Sequence, residues 1–307
     1  LENIGSAVRW GGVLLSQVTL GIWLLSLRPH FVGSRLRMWL WLALLSPLVG
    51  AGSMLITPDI PLLFCWALTL FLFLRWVRDP SLVNSAVLGM SCGLGFCSKY
   101  VMLLEPLFLF IACLFIRDWR KALFRGWFWI GAGLLAGASP VWAWNYLNDF
   151  ESVKFQLNHG LGKSIWKPSW TYTYVLSQIG LLFPTILYWA YRGTKKAPVW
   201  LWLLAWGPLV FFFFTSFRGF VEANWPIISY YEVFALAMLY CGTSNFPYKL
   251  TIGVWATALV LICLLVTTRW SPTGAAIKTR EFFEFEALVP VVKLLDPVFA
   301  RSYQLAS

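Results

Sequence analysis

The sequence predicts an all-α polytopic membrane protein, a bundle of about ten transmembrane helices. Three observations predict it. Hydrophobic residues make up 59% of the 307-residue chain against 12% charged ones, with a mean hydropathy of +0.70. A single water-soluble core of this size has too little interior to bury that much apolar surface. Apolar runs of about twenty residues, the length that crosses a hydrocarbon layer of ~30 Å, recur from end to end. The loops between these runs alternate in charge.

In order, the spans are expected at 10–27, 38–56, 61–77, 82–98, 101–116, 127–145, 170–191, 198–215, 227–242 and 250–268. The fourth and fifth are short and separated only by Ser98-Lys99-Tyr100. Alternation places the loops 28–37, 75–79, 117–125, 192–196 and 243–249 on one side, where thirteen Lys and Arg residues face two acids. The opposite loops carry five bases and four acids. By the positive-inside bias the first set is cytoplasmic and the second external. The net charge of +11 is thus mainly a topology signal. Basic residues scattered over five loops form no patch for nucleic acid, and none is expected as a partner.

The six cysteines all fall within spans, with no spacing suited to a metal, so neither a disulfide framework nor a metal centre is expected. Many of the twenty tryptophans stand at span ends, as interfacial belts require.

An ionisable group at the edge of a span is a functional candidate, because a charge within the bilayer costs at least ~2.5–3.5 kcal/mol. Four such groups share the external side: Asp59, Lys99, His159 and Glu222. Thr57-Pro58-Asp59-Ile60-Pro61 reads as a tight turn in which Asp59 caps the third span, with Pro61 in its first turn. A cap at the mouth of a cavity remains free to bind a cation or a hydroxyl. Lys99 is either a lysine snorkelling to the interface or a point-charge counter-ion for phosphate.

The long loop 145–169 contains Asn145 and His159, and its apolar spacing predicts a short amphipathic helix on the membrane surface. A lone histidine such as His159 is more often structural than a base or ligand. Arg218-Gly219-Phe220-Val221-Glu222-Ala223-Asn224-Trp225-Pro226 packs a cation, an acid, an amide and an indole together. Carboxylate and amide groups hydrogen-bond sugar hydroxyls while a ring covers the apolar sugar face, so this string suits carbohydrate.

With those strings in order, the chain resembles the membrane glycosyltransferases of the dolichyl-phosphate-mannose-protein mannosyltransferase superfamily (glycosyltransferase 39). Within it, the bacterial branch related to 4-amino-4-deoxy-L-arabinose lipid A transferase is the most similar. The resemblance is carried by Gly5-Ser6-Ala7-Val8-Arg9, Thr57-Pro58-Asp59, Gly93-Leu94-Gly95 with Ser98-Lys99-Tyr100, and Ser139-Pro140-Val141 with Trp144-Asn145. It continues through Phe155-Gln156-Leu157, His159-Gly160, Glu222-Ala223-Asn224-Trp225-Pro226 and the tail Ser302-Tyr303-Gln304-Leu305-Ala306-Ser307.

The resemblance implies a GT-C fold in the bacterial inner membrane. It also implies inverting transfer of a sugar from a polyprenyl-phosphate donor to a lipid, glycan or protein acceptor at the periplasmic face. Lys99 and Arg218 would hold the donor phosphate, and Tyr100, Asn145, His159, Glu222, Asn224 and Trp225 the sugar or acceptor. No cofactor is assigned; a divalent cation is left open.

The family's catalytic Asp-Glu pair lies in the first external loop, which has no counterpart in this sequence. Asp59 is the candidate acid within it. The amino terminus is expected outside, yet the chain starts at Leu1 with nothing resembling a signal peptide. It is therefore expected to be clipped at both ends, with a membrane core at 1–270 and the start of an external domain at 271–307. Alone, it is expected not to transfer sugar. The competing readings are a transporter or flippase for a lipid-linked sugar, for which Glu105 and Glu232 are the acids set within spans, and a non-catalytic scaffold.

Overall fold

A computed structural model describes residues 4–31, 33–54, 57–161, 165–241 and 246–268, and all regular structure among them is helical. The chain divides into two compact units, residues 1–252 and 253–307. The expected carboxy-terminal segment 271–307 lies outside the described residues, as does the side chain of His159.

Thirteen α-helices are described: α1 (Ile4–Leu27), α2 (Gly33–Leu45), α3 (Asp59–Trp76), α4 (Leu82–Ser98), α5 (Leu104–Phe115), α6 (Arg117–Gly137), α7 (Ser139–Leu147), α8 (Glu151–Leu161), α9 (Pro168–Leu182), α10 (Pro184–Thr194), α11 (Val199–Thr215), α12 (Tyr230–Tyr240) and α13 (Phe246–Thr268). Short 3₁₀ turns lie at Ala51–Met54, Tyr100–Leu103 and Trp225–Ser229. The second unit is described through the carboxy-terminal part of α13.

By length and composition, Trp10–Leu27 and Asp59–Trp76 can each cross a membrane. The pair α9 and α10, bent by 87°, would make a third crossing if it counts as one. Four shorter apolar helices accompany them: Leu82–Ser98, Tyr100–Phe115, Val199–Thr215 and Tyr248–Leu261.

The described helices therefore fall short of ten unbroken spans, and the breaks have local causes. The run 38–56 stops at Leu45, ahead of Pro47, which has no N–H to continue the helix and pushes Ser46 from the α region. The run 127–145 breaks at Ala138, and Pro140 opens α7. The run 170–191 bends at Phe183, whose φ of 65° precedes Pro184. The expected amphipathic helix is present as α8, with Phe155 and Leu157 exposed.

Helix α12 is the core, every side chain from Tyr230 to Met238 being buried. Trp39 of α2 donates its indole N–H to the Tyr231 carbonyl oxygen at 3.0 Å, and Gly193 brings α10 against Leu236.

Helices α4 and α6 pack through facing small residues, Gly89 and Gly93 on one, Gly133 and Gly137 on the other. A Cβ built on Gly89 would meet the Ile130 carbonyl oxygen at 1.9 Å, and one on Gly133 that of Ala86 at 2.0 Å. Two Gly-x₃-Gly stripes let the backbones approach this closely, as interhelical packing in membranes favours. The contact fixes α4, whose end at Ser98 leads directly into Lys99.

Candidate functional site

Three distant segments meet at Asp59. The residue is buried, 6% exposed, at the first position of α3. The expected capping role is not what its carboxylate does. Pro58 occupies the cap position and makes no side-chain capping bond, and Asp59 turns both oxygens to other segments of the chain. Lys99 Nζ donates to Oδ1 at 2.7 Å, and Asn224 Nδ2 to Oδ2 at 2.8 Å.

Lys99 reaches this position because α4 ends at Ser98 and the chain turns extended at Lys99 before the 3₁₀ turn. Asn224 immediately precedes the 3₁₀ turn leading into α12, where Pro226 interrupts regular helix. Negative charge on the first turn of α3 also suits the positive end of its dipole. An ammonium has three donors, so with one on Asp59 Lys99 keeps two for an incoming anion.

Beside Lys99, a closed ring of hydrogen bonds joins Tyr100, Asn145 and Ser152. The Asn145 amide donates to the Tyr100 hydroxyl at 3.4 Å, the Tyr100 and Ser152 hydroxyls bond to each other, and Ser152 donates to Asn145 Oδ1 at 2.8 Å. Asn145 is wholly buried and also donates to the Val141 carbonyl oxygen at 2.9 Å. Tyr100 stacks on Phe96 with ring centroids 4.6 Å apart. Tyr100 and Asn145 thus tie α7 and α8 to the turn that carries Lys99.

The connection between α11 and α12 supplies the other wall. Arg218 and Glu222 are exposed on it, and Trp225 sets its half-buried ring 5.8 Å from Phe212. Gln178 of α9 anchors this loop, donating to the Ala223 carbonyl oxygen at 3.0 Å while its own oxygen accepts from Tyr230 at 2.8 Å.

Sequence reasoning missed Gln178 and Ser152. Ser152 is a small polar residue on an amphipathic helix, with nothing to mark it. Gln178, a carboxamide within an apolar run, was the one visible trace. His159 lies in α8, its side chain outside the described residues. Among those described, no three His, Cys, Asp or Glu side chains could together hold a metal ion.

The opposite end of the same helices gathers the basic loops. His30, Lys196 and Trp200 line a cavity of about 140 Å³ there, and Arg78 acts electrostatically on His30. Three of the loops expected to share a side therefore do share one.

Residues 2–144 match the family model of dolichyl-phosphate-mannose-protein mannosyltransferase. The superfamily resemblance is borne out over that stretch, which includes Asp59, Lys99 and Tyr100. The match supports an integral membrane glycosyltransferase of the GT-C type. No curated protein and no solved structure matches the chain.

Proposed function

We propose that the chain forms the donor-binding part of a membrane glycosyltransferase. On this reading it moves a sugar from a polyprenyl-phosphate carrier to a lipid, glycan or protein acceptor, at the external face and with inversion. The observation that carries the reading is Lys99, held against a buried aspartate by a bond of 2.7 Å while keeping donors for a phosphate.

Asp59 fixes the ammonium and the Asn224 amide in place; Arg218 adds a second cation at the rim. Glu222, Asn224 and Trp225 meet the sugar, hydroxyls on the polar groups and a ring face on the indole. Tyr100 and Asn145 hold the wall nearest the acceptor, with His159 on the helix beside it. The carrier's phosphate is a good leaving group, so the protein's task is alignment and charge stabilisation. Asp59 also remains the candidate acid of this chain for taking the acceptor's proton.

The test is donor binding by the purified protein, measured with a radiolabelled polyprenyl-phosphate sugar. Lys99→Ala removes a charge-assisted contact worth ~1.5–3 kcal/mol and should weaken binding by about one to two orders of magnitude. Lys99→Arg should retain part of it. Unchanged binding in Lys99→Ala would remove the phosphate from this site. Adding a chelator to a transfer assay in membranes tells separately whether a divalent cation takes part.

A further inference from the structure

The connection from α11 to α12 carries Glu222, Asn224 and Trp225, and a polar stripe on α9 holds it. Thr171, Tyr174 and Gln178 follow one another at i, i+3 and i+7, so they share one face of that helix. Each bonds across that face. Thr171 donates to the Ser216 carbonyl oxygen at 3.4 Å, Tyr174 to that of Leu209 at 2.7 Å, and Gln178 to that of Ala223 at 3.0 Å. Thr171 and Gln178 thus take the connection at its start and near its end. Seven helical residues separate the two, about 10 Å of rise, so the connection runs alongside α9 for roughly two turns.

Gln178 differs from the other two in what fixes it. It is 6% exposed, and the wholly buried Tyr230 donates its hydroxyl to Oε1 at 2.8 Å. The amide nitrogen must therefore face Ala223, because the reverse orientation would set two acceptor oxygens against each other. Its second N–H goes to Ser177 Oγ at 3.3 Å. A carboxamide in an apolar helix is costly unless its groups are paired, and these are.

The carbonyl that Gln178 holds lies one residue before Asn224. Asn224 in turn shares the Asp59 carboxylate with Lys99, one oxygen each. A single carboxylate thus ties the ammonium offered to the phosphate to the amide offered to the sugar. Lys99 reaches it from the end of α4, and Asn224 from the connection that Gln178 holds.

Resting on the donor-binding reading above, we propose that Gln178 is a positioning residue. It fixes Asn224 relative to Lys99 and so sets the preference of the site for a sugar-bearing carrier over the bare one. Without its amide, the Ala223 carbonyl and the Tyr230 hydroxyl lose their partner, and the connection is no longer held where Asn224 meets Asp59. Lys99 keeps its own bond to Asp59. Loss of Gln178 therefore separates recognition of the sugar from recognition of the phosphate.

Binding to the purified full chain, measured with radiolabelled polyprenyl phosphates that are bare or carry mannose, glucose or arabinose, tests this. The wild type should bind at least one sugar-bearing carrier more tightly than the bare one. Gln178→Met, close in size but without the donor, should cut that preference about tenfold. Tyr230→Phe, which keeps the carboxamide but frees its orientation, should lose part of it and guards against a Gln178 variant that fails to fold. Lys99→Ala should weaken all carriers alike. An unchanged preference in Gln178→Met, or in Tyr230→Phe where Gln178→Met does not fold, overturns the positioning role. So does an equal loss of bare and sugar-bearing carriers in Gln178→Met, or a wild type with no preference. A wild type that binds no carrier overturns instead the donor-binding reading on which the role rests.

Discussion

The two ends of the helix bundle treat charge in opposite ways. At the Asp59 end bases and acids nearly balance, and the central carboxylate is buried and held on both sides. At the basic end charges are many and exposed. Lys121 and Asp118 stand 3.9 Å apart with side chains 58% and 89% exposed, whereas Lys99 and Asp59 are 2.7 Å apart at 29% and 9%.

An exposed pair is screened and contributes ~0–1 kcal/mol. A buried pair costs desolvation, and losing one partner leaves the other uncompensated. The comparison teaches that charge number marks topology here, while charge burial marks the candidate site. A sequence shows the first directly and the second only through its fold.

Substitutions at the two ends should therefore differ by orders of magnitude. The largest effect is expected for Asp59→Ala, which strands the Lys99 ammonium and frees the Asn224 amide. Breaking a buried pair costs roughly 3–5 kcal/mol, so transfer in membranes carrying the intact enzyme should fall by at least two orders of magnitude. Asp59→Asn, which keeps the shape, should lose nearly as much. If it retained near-normal transfer, burial of that charge would be incidental and the contrast between the ends would collapse.

Next comes an indirect blow to the same end. Gly93→Val drives side-chain atoms into α6, where even a Cβ would sit 2.3 Å from the Leu134 carbonyl oxygen. Overpacking of this kind costs ~1–3 kcal/mol or more when the obstacle is backbone. Thermal stability should drop, and so should donor affinity, because α4 positions Lys99. A stability loss with donor affinity intact would separate the packing of α4 from the site. At the basic end, Lys121→Ala should change stability by no more than about 0.5 kcal/mol in the same unfolding assay.

How much of this was legible beforehand depends on distance along the chain. Helical class and the sidedness of the loops follow from composition and local charge. So do the candidacies of Asp59, Lys99 and Asn224, since each is polar at a span edge. Their bonding to one another joins positions 165 residues apart in the case of Asn224 and Asp59, which no local pattern encodes.

The breaks at Ala138 and Phe183 had visible causes in Pro140 and Pro184, but a hydropathy window averages over such residues. The Gly-x₃-Gly stripes at Gly89, Gly93, Gly133 and Gly137 were equally visible; their facing one another was not. Asp59 was misjudged as a cap because capping is the local option for an aspartate after proline. A longer-range partner, Lys99, outcompeted it.

The smallest effect sharpens the contrast from the other side. At the basic end His30 is exposed in the turn after α1, beside the cavity lined by Leu27, Phe31, Lys196 and Trp200. Partial burial first, and then the Arg78 charge, hold its imidazole below the ordinary value of 6.5. The folded protein thus binds this proton less readily than the unfolded chain, which makes stability rise with pH through that window. His30's share is fully present above about 6.5 and declines as pH falls toward the depressed folded value. His30→Gln cannot titrate, so its midpoint of thermal unfolding should fall less than the wild type's between neutral and mildly acidic pH. Because the ring is exposed and the charge screened, the difference should be small and should shrink further where salt masks Arg78. A wild type that instead gained stability relative to His30→Gln on acidification would mean that an acid partner, not Arg78, dominates this end. The basic end would then hold a paired charge of the kind assigned only to Asp59.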